Sequence, residues 1–295
     1  MNVLVTGASG FIGSHLTYRL VNDGWCVHVI TRKDSNLRLL KEVMNKIVIH
    51  EHDGTALGML LILDIVKPAI VFHLASFKTS HHKSENIDQL IKSNILFGNQ
   101  LVDAMVQNNV YTLINTGTYW QHYHNKEYSP VCLYAATKQA FENILQFYVE
   151  TTALKVITLK LFDTYGPNDP RPKLFNQLRN AVENGVCLEM SPGEQLIDIV
   201  FIGDVVEAYI IAAKRLLDGV GDKVEELSVS SRNHISLKRM VEIYLKIVGK
   251  KVDIKWGGRK YREREVMIPW KNGKTLPGWS PKITIEQGIR LMEGV

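Results

Sequence analysis

Within Tyr134-Ala135-Ala136-Thr137-Lys138 a phenol and an ammonium stand four residues apart. On a helix that spacing puts both groups on one face. A cation beside a phenol lowers its pKa, which would let Tyr134 exchange a proton with a bound oxygen near neutral pH. Upstream, Ile114-Asn115-Thr116-Gly117-Thr118 closes a strand-like run and supplies two hydroxyls. A third feature, Val3-Leu4-Val5-Thr6-Gly7-Ala8-Ser9-Gly10-Phe11-Ile12-Gly13, spaces glycines at 7, 10 and 13 between an apolar run and a helical pattern. Gly7 allows a sharp turn, Gly10 lets a pyrophosphate approach the backbone, and Gly13 lets the helix pack on the sheet. The phosphate would meet free amides at the helix N-terminus, with Ser9, Phe11 and Ile12 around it.

Cofactor choice is read from the end of the second apolar run, Thr31-Arg32-Lys33, where no carboxylate occurs before Asp34. Sites for NAD normally put Asp or Glu here to bind the ribose hydroxyls. A hydroxyl and two cations suit a 2′-phosphate, so NADP(H) is expected.

These residues need a scaffold, and the hydrophobic pattern describes one. Short β-branched runs at Trp25–Ile30, Lys46–His50, Ala69–His73, Tyr111–Asn115 and Lys155–Leu161 alternate with helical patterns such as Phe11–Asn22 and Asn86–Asn108. Continuous apolar runs suit strands covered on both faces, and the alternation predicts right-handed βαβ units. The expected class is α/β, a doubly wound parallel sheet (Rossmann) with a smaller C-terminal α/β substrate lobe. The rhythm breaks at Gly166-Pro167-Asn168-Asp169-Pro170-Arg171-Pro172, where three prolines disfavour helix and central strand alike. Residues 1–165 are therefore assigned to the NADP-binding domain, with part of 194–220 returning to it, and 166–295 to the substrate lobe.

Composition excludes other classes. Of 295 residues, 45% are hydrophobic and 22% charged, enough apolar material to fold. The net charge of +5 is scattered, without a basic run interleaved with aromatics, so nucleic acid is not an expected partner. The apolar stretch from Gly58 to Leu74 is broken by Asp64, Lys67 and Pro68, which excludes a membrane span. Cys26, Cys132 and Cys187 are too dispersed for a disulfide framework, and no signal peptide is recognisable, so a cytoplasmic protein is expected. The histidines 73, 81, 82, 122 and 124 have no carboxylate partner at ligand spacing, and no metal is expected.

Taken together, these stretches resemble the extended short-chain dehydrogenase/reductase family, the NAD-dependent epimerase/dehydratases, over nearly the whole chain. TGASGFIGSHL is similar to its opening fingerprint, and Asp53-Gly54 to its adenine-contacting acid. His73-Leu74-Ala75-Ser76 resembles the end of its fourth strand beside the cofactor, and Ser93-Asn94-Ile95 its structural Asn segment. Phe162-Asp163-Thr164-Tyr165-Gly166-Pro167, after the strand ending at Leu161, and Leu276-Pro277-Gly278-Trp279-Ser280-Pro281 complete the likeness. The resemblance implies that Thr116, Tyr134 and Lys138 are the catalytic set, with Lys138 also holding the nicotinamide ribose. Leu74, Ala75, Ser76, Asn94 and Leu161 would border the cofactor.

Family dehydratases and decarboxylases place Glu two residues after the catalytic Thr, where this chain has Thr118. A hydroxyl cannot readily abstract a carbon-bound proton, which leaves hydride transfer without elimination. Gly193-Glu194-Gln195 and Tyr261-Arg262-Glu263-Arg264 resemble the branch that reduces a 4-keto-3,6-dideoxyhexose on a CDP carrier. That likeness implies NADPH-dependent 4-ketoreduction of a nucleotide-diphosphate sugar for cell-surface polysaccharide (O-antigen), with Arg262 on the diphosphate and Thr118 on the sugar. Two departures stand out: Ile197 replaces an Arg of the branch motif, and Asp163 replaces a frequent Asn. Losing that arginine weakens the diphosphate site unless Lys173, Arg171 or Arg264 compensates. An NAD-dependent nucleotide-sugar epimerase and a non-catalytic NADP sensor are the alternatives, and a homodimer is expected.

Overall fold

A computed structural model covers residues 1–295. The chain runs β1 (Asn2–Thr6), α1 (Phe11–Asn22), β2 (Cys26–Thr31), β3 (Ile47–Glu51), α2 (Ala56–Val66) and β4 (Ile70–His73). It continues through α3 (Ile87–Ile91), a π-helical turn at Lys92–Leu96, α4 (Phe97–Gln107), β5 (Thr112–Thr118), α5 (Leu133–Thr151) and β6 (Lys155–Leu161). Beyond lie β7 (Asp163–Tyr165), α6 (Leu174–Asn184), β8 (Leu188–Met190), β9 (Leu196–Ile197), β10 (Ile199–Phe201), α7 (Ile202–Leu217) and β11 (Val224–Val229). The last elements are β12 (Ile235–Ser236), α8 (Leu237–Val248), β13 (Ile254–Trp256) and α9 (Ile285–Glu293).

Seven strands form one parallel sheet in the order β11-β6-β5-β4-β1-β2-β3, the expected doubly wound α/β class. Burial on both faces explains the unbroken apolar run of β1. Val3 and Val5 join the core under α1 and α7, while Leu4 joins the opposite core with residues of α2, α4 and α5. The chain reverses its strand order between β1 and β4, so ligands are expected at the carboxyl edge there.

Two features depart from the pattern read in the sequence. The long helix expected over Asn86–Asn108 is interrupted by the π-helical turn, which buries Asn94 against α5. The seventh strand, Val224–Val229, was not read from the sequence and lies beyond the stretch 194–220 assigned in part to the cofactor-binding domain. It pairs only with β6 among the strands of the sheet, and Glu225 and Glu226 break its apolar run. Residues outside the sheet gather a smaller core of ten side chains, among them Tyr165, Phe175, Tyr244 and Ile289. Asp198 and Asp204 tie distant segments together: Asp198 accepts from Ser230 and Ser231, and Asp204 from the Lys282 and Ile283 amides.

Candidate active site and cofactor cleft

β1 ends at Thr6, and Gly7 turns the chain with φ +73°. A Cβ on Gly7 would lie 2.6 Å from the Ala75 amide nitrogen, and one on Gly13 2.1 Å from the Gly7 carbonyl oxygen. Both positions need hydrogen where larger residues would collide with backbone. Gly10 is different: its only close neighbour is the Gly7 oxygen at 3.3 Å. It stands at the N-cap of α1 without a side-chain cap, and the first turn carries no acid. The amides at Phe11 and Ile12 are thus left for an anion, and the cradle fits a dinucleotide pyrophosphate. The Arg171 guanidinium lies 4.5 Å over the Phe11 ring at this mouth.

Thr31 is buried at the end of β2, with Arg32 and Lys33 exposed just beyond. The Arg32 amide donates to Ser35 Oγ at 2.9 Å, which turns the chain there. Asp53 Oδ1 accepts from the amide and hydroxyl of Thr55, both at 2.8 Å. Those bonds, the amide first, hold its carboxyl below the usual range. Gly54 follows with φ +89°. Leu74, Ala75 and Ser76 continue from β4, and the Ala75 amide donates to Thr6 Oγ1 at 3.2 Å. Asn94 reaches back to the same segment. Its Oδ1 accepts from the Phe77 amide and the Ser76 hydroxyl, and its Nδ2 donates to the Phe77 carbonyl and Thr137 Oγ1. The π-helical turn therefore ties the strand-four loop to the helix of Tyr134.

Tyr134 and Lys138 lie on the buried face of α5, only 6% and 2% exposed. The expected downward pull of Lys138 on the phenol is not the dominant effect. Burial pushes Tyr134 well up, with Cys132 and Asp163 adding to it, while the Ser76 hydroxyl pulls the other way. Burial also brings the Lys138 ammonium down to about 8, opposed by Glu142 and reinforced by Lys160. Removing two groups of opposite charge type from water favours the neutral form of each. Behind them, Lys160 Nζ donates to Glu142 Oε2 at 2.5 Å, and Gln121 donates to the same oxygen.

Thr116 stands at the carboxyl end of β5, where its hydroxyl donates to the His73 carbonyl at 2.8 Å. Tyr209 OH lies 2.7 Å from Thr116 Oγ1. Thr118 acts locally, accepting from the Trp120 amide at 3.3 Å to cap the turn Tyr119–Gln121. Leu161 is buried at the end of β6. Lys173 Nζ donates to Asp163 Oδ1 at 2.8 Å, and Tyr119 donates to the other oxygen at 3.1 Å. These partners and Lys78 hold the Asp163 carboxyl well below the usual range despite burial. The exposed Arg262 lies 5.9 Å from the Trp120 ring centroid, with Nε 3.7 Å from Glu265.

Spacing in the sequence did not single out Lys78 or Tyr209. Lys78 Nζ sits 4.6 Å from the Trp120 ring centroid and 6.0 Å from that of Tyr134. Its side chain is exposed in the open cleft, so solvent tempers the downward push exerted by the surrounding protein, Lys173 and Arg171. Its position two residues past Ser76 was the available signal. His73 is buried against Thr6 Oγ1 at 2.8 Å, and burial brings its imidazole down to about 3. No group of three or more His, Cys, Asp or Glu is arranged to hold a metal ion.

The chain is similar to CDP-abequose synthase of Salmonella muenchen, 26% identical over 98% of this chain and 96% of that protein. It is 28% identical to CDP-abequose synthase of Yersinia pseudotuberculosis, over 91% and 92% of the two chains. Among solved structures, UDP-glucose 4-epimerase of Thermotoga maritima with UDP-glucose superposes with a TM-score of 0.86 at 23% identity, covering 99% of this chain and 97% of that one. That likeness shows the fold. The model of the NAD dependent epimerase/dehydratase family matches residues 3–224, from the first residues of β1 to the start of β11. The glycine cradle, the Tyr134–Lys138 face and most of the sheet fall inside that span, and the chain belongs to the NAD dependent epimerase/dehydratase family.

Proposed function

We propose that the protein is an NADPH-dependent 4-ketoreductase acting on a CDP-linked 3,6-dideoxy-4-hexulose. The observation that carries this reading is the cleft at Tyr134: a buried phenol on the Lys138 face, with Lys78 and Arg262 beside Trp120. Bound NADPH supplies a hydride. Reduction also needs a proton donor, and a phenol whose pKa burial has raised stays protonated at neutral pH. Tyr134 therefore holds the proton that the substrate oxygen receives. Lys138 stays largely charged below about pH 8 and stabilises the tyrosinate left behind. Thr116 assists by turning its hydroxyl from the His73 carbonyl towards the same oxygen.

Lys78 and Arg262 offer the diphosphate two cations, the guanidinium in bidentate form. Lys173 joins them only by leaving Asp163. Gly117 and Thr118 place no carboxylate two residues past Thr116, so the site lacks a base for carbon-bound protons and elimination is disfavoured. The likeness to CDP-abequose synthases over nearly the full length supports the carrier and the sugar class. Arg32 and Lys33 support NADPH over NADH.

The test is oxidation of NADPH by purified protein with a CDP-4-keto-3,6-dideoxyhexose. Turnover with NADPH, and little with NADH, is the expected result. A protein that carries tightly bound NAD and interconverts sugar epimers without added cofactor would overturn the reading in favour of an epimerase.

A further inference from the structure

On β2 and β3, three side chains form an arrangement that the proposed ketoreduction does not use, running from Cys26 at the amino end of β2 to His50 near the carboxyl end of β3. Cys26 opens β2 with its thiol side chain exposed. Strand alternation puts His28 on the same face two residues later, with Nε2 3.6 Å from Cys26 Sγ. His28 Nδ1 in turn lies 3.0 Å from Nε2 of His50 on the neighbouring β3, and the two rings stack with centroids 5.2 Å apart. One of the two tautomers of His28 leaves Nε2 free to accept from the thiol. His28 Nδ1–H donates to His50 Nε2, which leaves the His28 Nε2 lone pair to accept from the thiol. Burial lowers both imidazoles, which favours their neutral forms with a lone pair open to a proton.

The other two thiols lack this support. Cys132 is half-buried, donates to the Thr79 carbonyl at 3.6 Å, and is pushed up by burial. Cys187 is exposed like Cys26, but desolvation and then Asp253 push its thiol up.

We propose that Cys26 is a nucleophilic thiol, with His28 as its base and His50 orienting that base, and that it is a site of exchange with small disulfides. The thiol proton passes to His28 Nε2 as Sγ attacks one sulfur of the disulfide. A new sulfur–sulfur bond forms, the old one breaks, and the departing thiolate takes the proton from His28. Cys26 is thereby oxidised to a mixed disulfide, and the other half of the reagent is reduced to a thiol.

The full chain is incubated at pH 7 with 2-hydroxyethyl disulfide, quenched with acid and mapped by peptide mass. Cys26 should form the mixed disulfide on the order of tenfold faster than Cys187 in the same sample. H28Q should remove most of that excess and H50Q part of it, while Cys187 keeps its rate as the internal control for folding. Equal rates at Cys26 and Cys187 in the unaltered protein would overturn the proposal. So would H50Q and H28Q proteins, folded by the Cys187 criterion, in which Cys26 reacts as before.

Discussion

Tyr134 shows how burial, more than a neighbouring charge, sets the character of this site. In the proposed reaction its raised pKa would make it a donor that keeps its proton until a stronger base, the developing alkoxide, forms beside it. Tyr134→Phe should lower kcat by about 10²- to 10⁴-fold, the range expected for losing one positioned acid, and leave NADPH affinity nearly unchanged. Steady-state kinetics with a separate NADPH titration separates the two effects. Lys138 adds a pH dependence. With its ammonium brought down to about 8, turnover should fall as pH rises through that value and the lysine loses its charge. A rate that climbs steadily from pH 7 to 9 would remove Lys138 from the mechanism. Thr116 is the residue whose observed contact differs most from its proposed task. Its hydroxyl proton points at the His73 carbonyl, while Tyr209 stands ready to hold its oxygen.

The elements bring rigid backbone segments together at the glycine turn, and the π-helical turn anchors α5. Gly13→Ala would drive a Cβ to 2.1 Å from the Gly7 oxygen, so the turn and α1 cannot both keep their places. NADPH binding should be lost by equilibrium titration, with the thermal unfolding midpoint lowered. Behind the site, Lys160 is fully buried and paired with Glu142. Lys160→Met leaves Glu142 buried without its cation and should cost about 3–5 kcal/mol, whereas pairing it with Glu142→Leu should recover much of that loss. Denaturant unfolding of the two variants checks the difference. What could be read from the chain in advance follows the same division between local and distant. The glycines at 7, 10 and 13 and the Tyr134–Lys138 pair lie within one or two turns of chain, and so do the β-branched runs that became β1 to β6. The strand Val224–Val229 was missed because Glu225 and Glu226 interrupt its apolar run at the sheet edge. Tyr209 meets Thr116 across 93 residues, a contact that only the folded sheet creates.

At the scale of the whole molecule, the net charge of +5 is small, and its placement matters more than its size. Lys78, Arg171, Lys173 and Arg262 converge on the cleft from segments far apart in sequence, while Arg32 and Lys33 lie beyond the end of β2. Asp163 already neutralises Lys173, and Asp169 pairs with Arg171. Arg262 also faces Glu265 at 3.7 Å, and under the proposed function the remaining cations would serve two phosphorylated small molecules. Each ligand that binds only the native state should stabilise it by mass action, about 2.7 kcal/mol at one hundred times its Kd. Thermal unfolding with NADPH alone, and then with NADPH plus CDP, UDP, GDP or dTDP, makes this measurable. NADPH should raise the midpoint more than NADH at equal concentration, because only NADPH offers Arg32 and Lys33 a 2′-phosphate. CDP should add a further rise beyond the other three nucleotides. Equal shifts with all four would mean that the cations hold the diphosphate without discriminating the base, and the CDP assignment would fall. A larger shift with NADH would shift the balance towards the epimerase reading, since Arg32 and Lys33 would then have no phosphate to bind.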